Sequence, residues 1–177
     1  MTLADLPFVA LWGRCMPSII LPPKTDLSWR RAETIARAFH DAGKSNPWIV
    51  AAVAESYAES GWRAVIAGDH GKSFGPWQIN FGYFGAAILE ATNVDIRTEP
   101  DLTKHAKAVI WLLENFENTP GVKAFAKVVA ELDAATTGAA ATHAWTVDFE
   151  RAGAGGADQR RIAIAPQIEV FVAGLGL

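Results

Sequence analysis

Cysteine is almost absent from this 177-residue chain, in which Cys15 stands alone. A single thiol forms no intramolecular disulfide and no cysteine-based zinc cage, so stability must come from packing. A basic excess is missing as well: 16 Lys and Arg against 19 Asp and Glu leave a formal net charge of -3. Nucleic acid and anionic membranes attract clustered cations, so neither is expected as a partner. The pairs Arg30-Arg31 and Arg160-Arg161 read as solvated helix faces. Long apolar runs are lacking too. Phe8-Val9-Ala10-Leu11-Trp12 lies between Asp5 and Arg14, is too short to span a membrane, and fails as a signal peptide. There is no internal repeat.

What is present suits one compact unit, since half of the residues are hydrophobic and a fifth are charged. Pro7, Pro17, Pro22 and Pro23 punctuate residues 1-27, which are expected to form an N-terminal arm ahead of a domain over residues 28-177. From Ser28, a candidate cap, helical spacing of Trp29, Ala32, Ile35, Ala36 and Phe39 predicts a first helix that stops at Gly43. Asn46-Pro47 opens a second, predicted to run to about Ser60 before Gly61. Glycines and prolines then interrupt residues 61-85, and the alternation of Trp77-Gln78-Ile79-Asn80-Phe81 predicts a small hairpin within a loop. Helical patterns return after Glu99-Pro100, again over Val122, Phe125, Val129 and Leu132, and in two C-terminal stretches, Ala139 to Arg151 and Ala157 onward. Pro166 should kink or split the last of these. The expected fold class is mostly α, with one glycine-rich loop after a helix that ends in acids.

Glu55 and Glu59 are four residues apart, so both project from one side of the second helix, along the edge of its apolar face. Glu59 also sits in the last turn, where the negative end of the helix dipole disfavours another negative charge. Partial burial by Trp62, Phe74 or Trp77 would raise its pKa further. An acid kept protonated near neutral pH is what cleavage of a glycosidic bond needs, because the departing sugar oxygen must receive a proton. A surface glutamate that merely ends a helix is the plainer reading of the same spacing.

The following segment, GDHGKSFGPWQIN from Gly68 to Asn80, adds groups suited to a sugar. Its glycines let backbone approach a ligand, Asp69 is a second carboxylate, and Gln78 and Asn80 carry amides that hold hydroxyl and acetamido groups. Asp69 has two readings, a residue that activates or positions water opposite Glu59 and a turn residue that bonds its own backbone. Beside it, His70 makes an incomplete metal site, so no metal is expected. Tyr83 either meets substrate at the hairpin exit or packs in the core. Of the seven tryptophans, only Trp62 and Trp77 have loop positions suited to a sugar platform. His40, His105 and His143 lie in helical patterns and receive no role.

Glu59-Ser60-Gly61 followed by this segment resembles the signature of goose-type lysozymes, soluble lytic transglycosylases and the lysozyme-like domains of phage endolysins and tail proteins. The run AESYAESGW through WQIN is most similar to the phage versions. In these, a catalytic Glu followed by Ser ends a helix, and a glycine-rich loop leads to a Gly-x-x-Gln segment. Phe149-Glu150-Arg151 is similar to an element that closes the cleft from the far side. Pro76-Trp77 and Asn80 depart from the pattern, the latter standing where goose-type enzymes often carry an acid.

The resemblance implies a lysozyme-like helical fold whose glycine-rich loop and small β-hairpin line a cleft. It implies cleavage of the bond between N-acetylmuramic acid and N-acetylglucosamine in peptidoglycan glycan strands, without cofactor. Glu59 would be the general acid and Asp69 the candidate base. Ser73, Trp77, Gln78, Asn80 and Tyr83 would contact substrate, and Ser60 and Glu150 would support the acid. A lytic transglycosylase is the close competitor, in which the muramyl hydroxyl attacks in place of water. A non-catalytic wall-binding or virion structural domain is the alternative of another class, and a chitinase a further one. The chain is expected to be a monomer, made in a host cytoplasm or carried in a virion, and acting on the cell wall.

Overall fold

The computed structural model describes residues 19-150 and 157-177. Cys15, Arg151 and most of the expected N-terminal arm lie outside the described residues. The end of that arm is docked: Tyr57 donates its hydroxyl to Ile20 O at 2.6 Å, and the Trp29 indole N–H reaches Pro22 O and Pro23 O, each at 3.2 Å.

Helix α1 (Ser28–Asp41) buries Trp29, Ala32, Ile35, Ala36 and Phe39, the face that their spacing predicts. Ser28 is its first residue and not its cap; the Ser28 N–H instead donates to Asp26 Oδ1 at 2.7 Å. Helix α2 (Asn46–Ser60) carries Pro47 in its first turn. It ends at Gly61, whose left-handed backbone (φ 62°) needs no Cβ clearance and returns its N–H to Tyr57 O at 2.8 Å.

The expectation of an apolar stripe with acids along its edge is overturned for α2. Trp48 through Ser56 are buried without interruption, because α1, α6 (Gly138–Ala144) and α7 (Ala157–Gly174) all pack around this helix. A helix enclosed on every side has no polar edge, so Glu55 lies inside the protein.

The predicted hairpin has three strands. Strands β1 (Ala67–Gly68), β2 (Ser73–Phe74) and β3 (Ile79–Asn80) pair antiparallel in that order, with Ala67 opposite Phe74 and Ser73 opposite Asn80. Gln78 has a left-handed backbone (φ 47°), which breaks the alternation of Trp77 to Phe81 and leaves only Ile79–Asn80 to pair. A π-helical turn (Phe81–Gly85) then runs into α3 (Ala86–Thr92), a short helix that the sequence patterns did not predict.

Helix α4 (Leu102–Asn115) starts where Asp101 Oδ1 accepts the Thr103 N–H at 2.8 Å. Val122 is exposed in a second hairpin, β4 (Glu117–Thr119) with β5 (Val122–Lys123), and not on a helix face. Pro120-Gly121 turns the chain there, with Gly121 at φ 77°, so α5 (Ala126–Ala134) begins only after Phe125. Helix α6 gives way to a second π-helical turn (Trp145–Phe149), which delivers Glu150. Helix α7 continues through Pro166 as one element, with that residue exposed.

Aromatic rings knit the core beneath the loop. Trp77 lies 5.8 Å from Phe39 and 6.4 Å from Trp145, measured between ring centroids. The Trp62 and Trp77 indoles donate to the α2 carbonyls of Val53 and Ala52, at 2.9 and 3.0 Å. These bonds satisfy buried donors and pin both ends of the glycine-rich segment to the helix that carries Glu55 and Glu59.

Candidate active site

Four charged side chains meet where α2, α7 and the second π-helical turn converge. Arg161, on α7, places Nη1 2.9 Å from Glu55 Oε2, and its Nη2 donates to Glu59 Oε1. Thr146 donates its hydroxyl to the other Glu55 oxygen, and Glu55 has no solvent exposure. Glu59 keeps 19% of its side-chain surface exposed, whereas Arg161 keeps 11%. Arg161 is thus an internal cation, against the expectation of a solvated helix face, because α7 turns that side chain onto two acids of α2. Arg30 and Arg31 are exposed as expected.

Glu150 completes the group. Its Oε1 is shut away from solvent, although the residue as a whole is only partly covered. Three carboxyls around one guanidinium cannot all ionise cheaply. Burial pushes the Glu55 carboxyl up to about 7 against the pull of Arg161, and burial together with the charges of Glu59 and Glu55 holds Glu150 well above the carboxylate range. Burial also raises Glu59; Arg161 opposes this, and the charge of Asp69 adds to it. A raised pKa at the end of α2 agrees with the sequence reading, and desolvation is its main cause.

This electrostatics has a consequence for stability. The Glu55 carboxyl binds its proton more tightly in the folded chain, at about 7, than at the ordinary value of 4.5. The stability it contributes is therefore complete below its unfolded pKa and is lost as pH rises through about 7. That loss is on the order of 3 kcal/mol, equivalent to several degrees in melting temperature. Thermal melts of the wild type and Glu55→Gln between about pH 5 and about pH 8 should show the alkaline loss shrinking in the variant. An unchanged pH dependence would mean that Glu55 does not titrate in this window.

A cavity of about 720 Å³ opens beside the cluster. Asp69, Ser73, Trp77, Gln78, Asn80 and Tyr83 line it from the glycine-rich segment, and Phe149 and Glu150 line it from the opposite wall. Glu59 is not among the lining residues, and Arg161 holds its Oε1 toward α7. Its coupling to the cavity runs through charge, from Asp69 on one side and Glu150 on the other.

Left-handed backbone is concentrated in this segment, at Trp62, Asp69, His70 and Gln78, with φ of 61°, 48°, 56° and 47°. None of these residues is glycine, so the conformations cost free energy that the surrounding bonds must offset. Ser73 donates to Asp69 Oδ2 at 2.7 Å, and Gln78 donates Nε2 to Gly75 O at 2.9 Å. A Cβ on Gly68 would lie 2.0 Å from Gln78 Oε1, so a larger residue there would displace the Gln78 amide. Gln78 therefore both faces the cavity and braces the loop. Asn80 Oδ1 accepts the Tyr83 N–H at 3.3 Å at the start of the π-helical turn.

Tyr83 stands at the cavity rim, 78% exposed, rather than in the core. Trp77 contributes only the floor, and Trp62 is fully buried, 4.5 Å from Tyr57 between ring centroids. Trp62 is therefore no sugar platform. Ser60 closes the helix end, donating to Ser56 O at 2.7 Å and accepting the Arg63 N–H at 3.1 Å. His105, given no role from the sequence, is buried with a ring nitrogen 2.8 Å from Glu99 O. Among the described residues, no group of three or more His, Cys, Asp or Glu is arranged to hold a metal ion. No helix among them is long and apolar enough to cross a membrane.

Sequence reasoning missed Arg161 and Thr146 and misplaced Glu55. Thr146 carried no signal at all. Arg161 carried one: it follows a long alanine-rich stretch as part of a basic pair in a chain with few other basic clusters, but its target is set by how α7 docks.

A family model described as phage tail lysozyme covers residues 30–169. No curated protein and no solved structure matches the chain. The matched region runs from α1 into α7 and so takes in both walls of the cavity and the whole acid cluster. The chain belongs to the phage tail lysozyme family, and its role is the lysozyme-like breakdown of peptidoglycan.

Proposed function

We propose that the chain is a muramidase, hydrolysing the bond between N-acetylmuramic acid and N-acetylglucosamine with Glu59 as general acid. The observation that carries this reading is the state of Glu59: a partly exposed carboxyl, raised in pKa by burial and coupled through charge to Asp69 and Glu150, which wall the cavity. Arg161 occupies Oε1, so Oε2 is the oxygen that delivers the proton to the departing sugar oxygen. Asp69 is close enough for its charge to raise the Glu59 pKa, yet it makes no hydrogen bond to Glu59. An inverting hydrolase needs a second carboxylate that stands off from the acid, so that a water fits between base and sugar. Asp69 then activates or positions the water. Ser73, Gln78, Asn80 and Tyr83 contact the glycan strand, and the enzyme reaches the wall from a virion or from inside the host.

One observation favours the transglycosylase alternative. Ser73 already binds Asp69 Oδ2 and the Asp69 backbone is left-handed, the arrangement of a residue that braces a turn. Mass spectrometry of digested sacculi, before and after borohydride reduction, separates the two. Hydrolysis gives ordinary reducing ends, with Asp69→Asn slowed at least about tenfold. Products dominated by 1,6-anhydromuramyl ends, with Asp69→Asn nearly as fast as wild type, would overturn the hydrolase reading.

A further inference from the structure

A second cavity, of about 530 Å³, lies beside the first and shares Asn80 and Tyr83 with it. The two differ in charge. Among the described residues, acids but no bases line the first, namely Asp69, Glu117 and Glu150, whereas Lys72 and Arg97 line the second and no acid does. Lys72 is exposed in the turn between β1 and β2 and, among the described residues, has no ion pair. Arg97 is stacked 4.0 Å over the Phe81 ring and bound through Nε and Nη2 to Asp95, at 2.9 and 2.7 Å. This fixes the plane of the guanidinium and leaves Nη1 for an incoming acceptor. Asp95 cancels one charge, so the cavity keeps a net cation from Lys72.

A glycan backbone of N-acetylated sugars is neutral, and it asks of a cleft only amides, hydroxyls and the reacting acids. Peptidoglycan adds an anionic branch, the carboxylate-bearing peptide stem attached through the lactyl group of muramic acid. The two cavities match these two parts of the polymer, and Asn80 and Tyr83 stand where backbone and branch would diverge. We propose that the second cavity is a subsite for the anionic peptide stem, in which Lys72 and Arg97 receive its carboxylates and Tyr83 packs against its apolar portion. This inference rests on the muramidase reading, because it needs the glycan strand in the first cavity.

Exposed ion pairs contribute modestly and are weakened by salt, so the expected effect is a substrate preference rather than an all-or-none requirement. The test compares glycan strands that carry their stems with strands stripped of them by an amidase. Wild type should show a kcat/KM higher by about three- to tenfold on stem-bearing strands, expressed in KM and shrinking with added salt. In the double variant Lys72→Gln/Arg97→Gln, the ratio between the two substrates should fall to about one. Equal cleavage of both substrates by wild type, or a preference that survives in the double variant, would overturn the subsite. Failure of wild type to cleave either strand would instead overturn the muramidase reading. Calorimetric titration with isolated stem peptide would then decide the subsite separately: salt-sensitive binding lost in the double variant supports it, and absence of binding refutes it. Both residues are exposed, so thermal melts of the variant should match wild type.

Discussion

Glu59→Gln is expected to lower turnover on isolated sacculi by about 100-fold or more, the contribution typical of a general acid. The amide has the shape of the acid and still accepts the hydrogen bond from Arg161, so the fold and the binding of wall fragments should be retained. What it lacks is a transferable proton. Glu55→Gln is the matched control, since that residue is four positions away on the same helix but has no solvent exposure and cannot touch a substrate. Its effect on rate should be far milder. Loss of activity in Glu55→Gln together with survival in Glu59→Gln would reverse the assignment along α2. Equal activity in all three proteins would remove Glu59 from the reaction.

Arg161→Gln should be nearly as damaging, costing on the order of 100-fold in kcat through loss of the hold on Glu59. Its pH profile carries the diagnostic information. The groups that face Glu59 are Glu55 on its own helix, Asp69 from the loop, Glu150 from the second π-helical turn, and Arg161 from α7. Only Arg161 among them favours the ionised form. Glu59 acts while protonated, so activity falls as pH rises through its pKa. Removing the cation raises that pKa, and the alkaline limb should therefore move to higher pH. Glu55→Gln removes an acid that competes for Arg161, leaves more of the cation's charge on Glu59, and should move the limb the opposite way.

Arg161→Lys keeps the charge with a single contact and should hold the limb near that of wild type while restoring part of kcat. Arg161→Gln leaves Glu55 buried without its cation, but Glu55 can take up a proton near neutral pH, which limits the cost. The double variant Glu55→Gln/Arg161→Gln avoids an unpaired buried charge altogether and should show the same upward displacement. A limb unchanged in every variant would reduce Arg161 to a packing role.

The elements that carry the site were legible in the chain because their signals are local. Pro47 near the start of α2 and Gly61 at its left-handed end mark that helix without reference to anything else. The change of composition after Gly61 announces the loop, and Glu59, Asp69, Gln78 and Asn80 were picked out because carboxyls and amides spaced along such a segment suit a sugar. Errors arose where the same local pattern has two solutions. Val122, Phe125, Val129 and Leu132 fit a helical spacing, yet Pro120-Gly121 turns the chain into a hairpin and exposes Val122. Trp62 looked accessible because it sits in a loop, yet that loop folds back and seats its indole on the Val53 carbonyl.

By itself the sequence determined the helical segments, the glycine-rich loop and the chemical types available at the site, because propensity, capping and turn chemistry act between residues a few positions apart. The environment of Glu55, the direction of Arg161, the enclosure of Glu150 and the contrast between an acidic and a basic cavity were decided only by the tertiary structure. Arg161 is 102 residues from Glu59 in the chain, and Thr146 is 91 from Glu55. Nothing in local sequence specifies such a meeting. It follows from α6 and α7 closing over α2, which removes water from three acids, and desolvation and Coulomb energies depend on distance in space rather than on position along the chain.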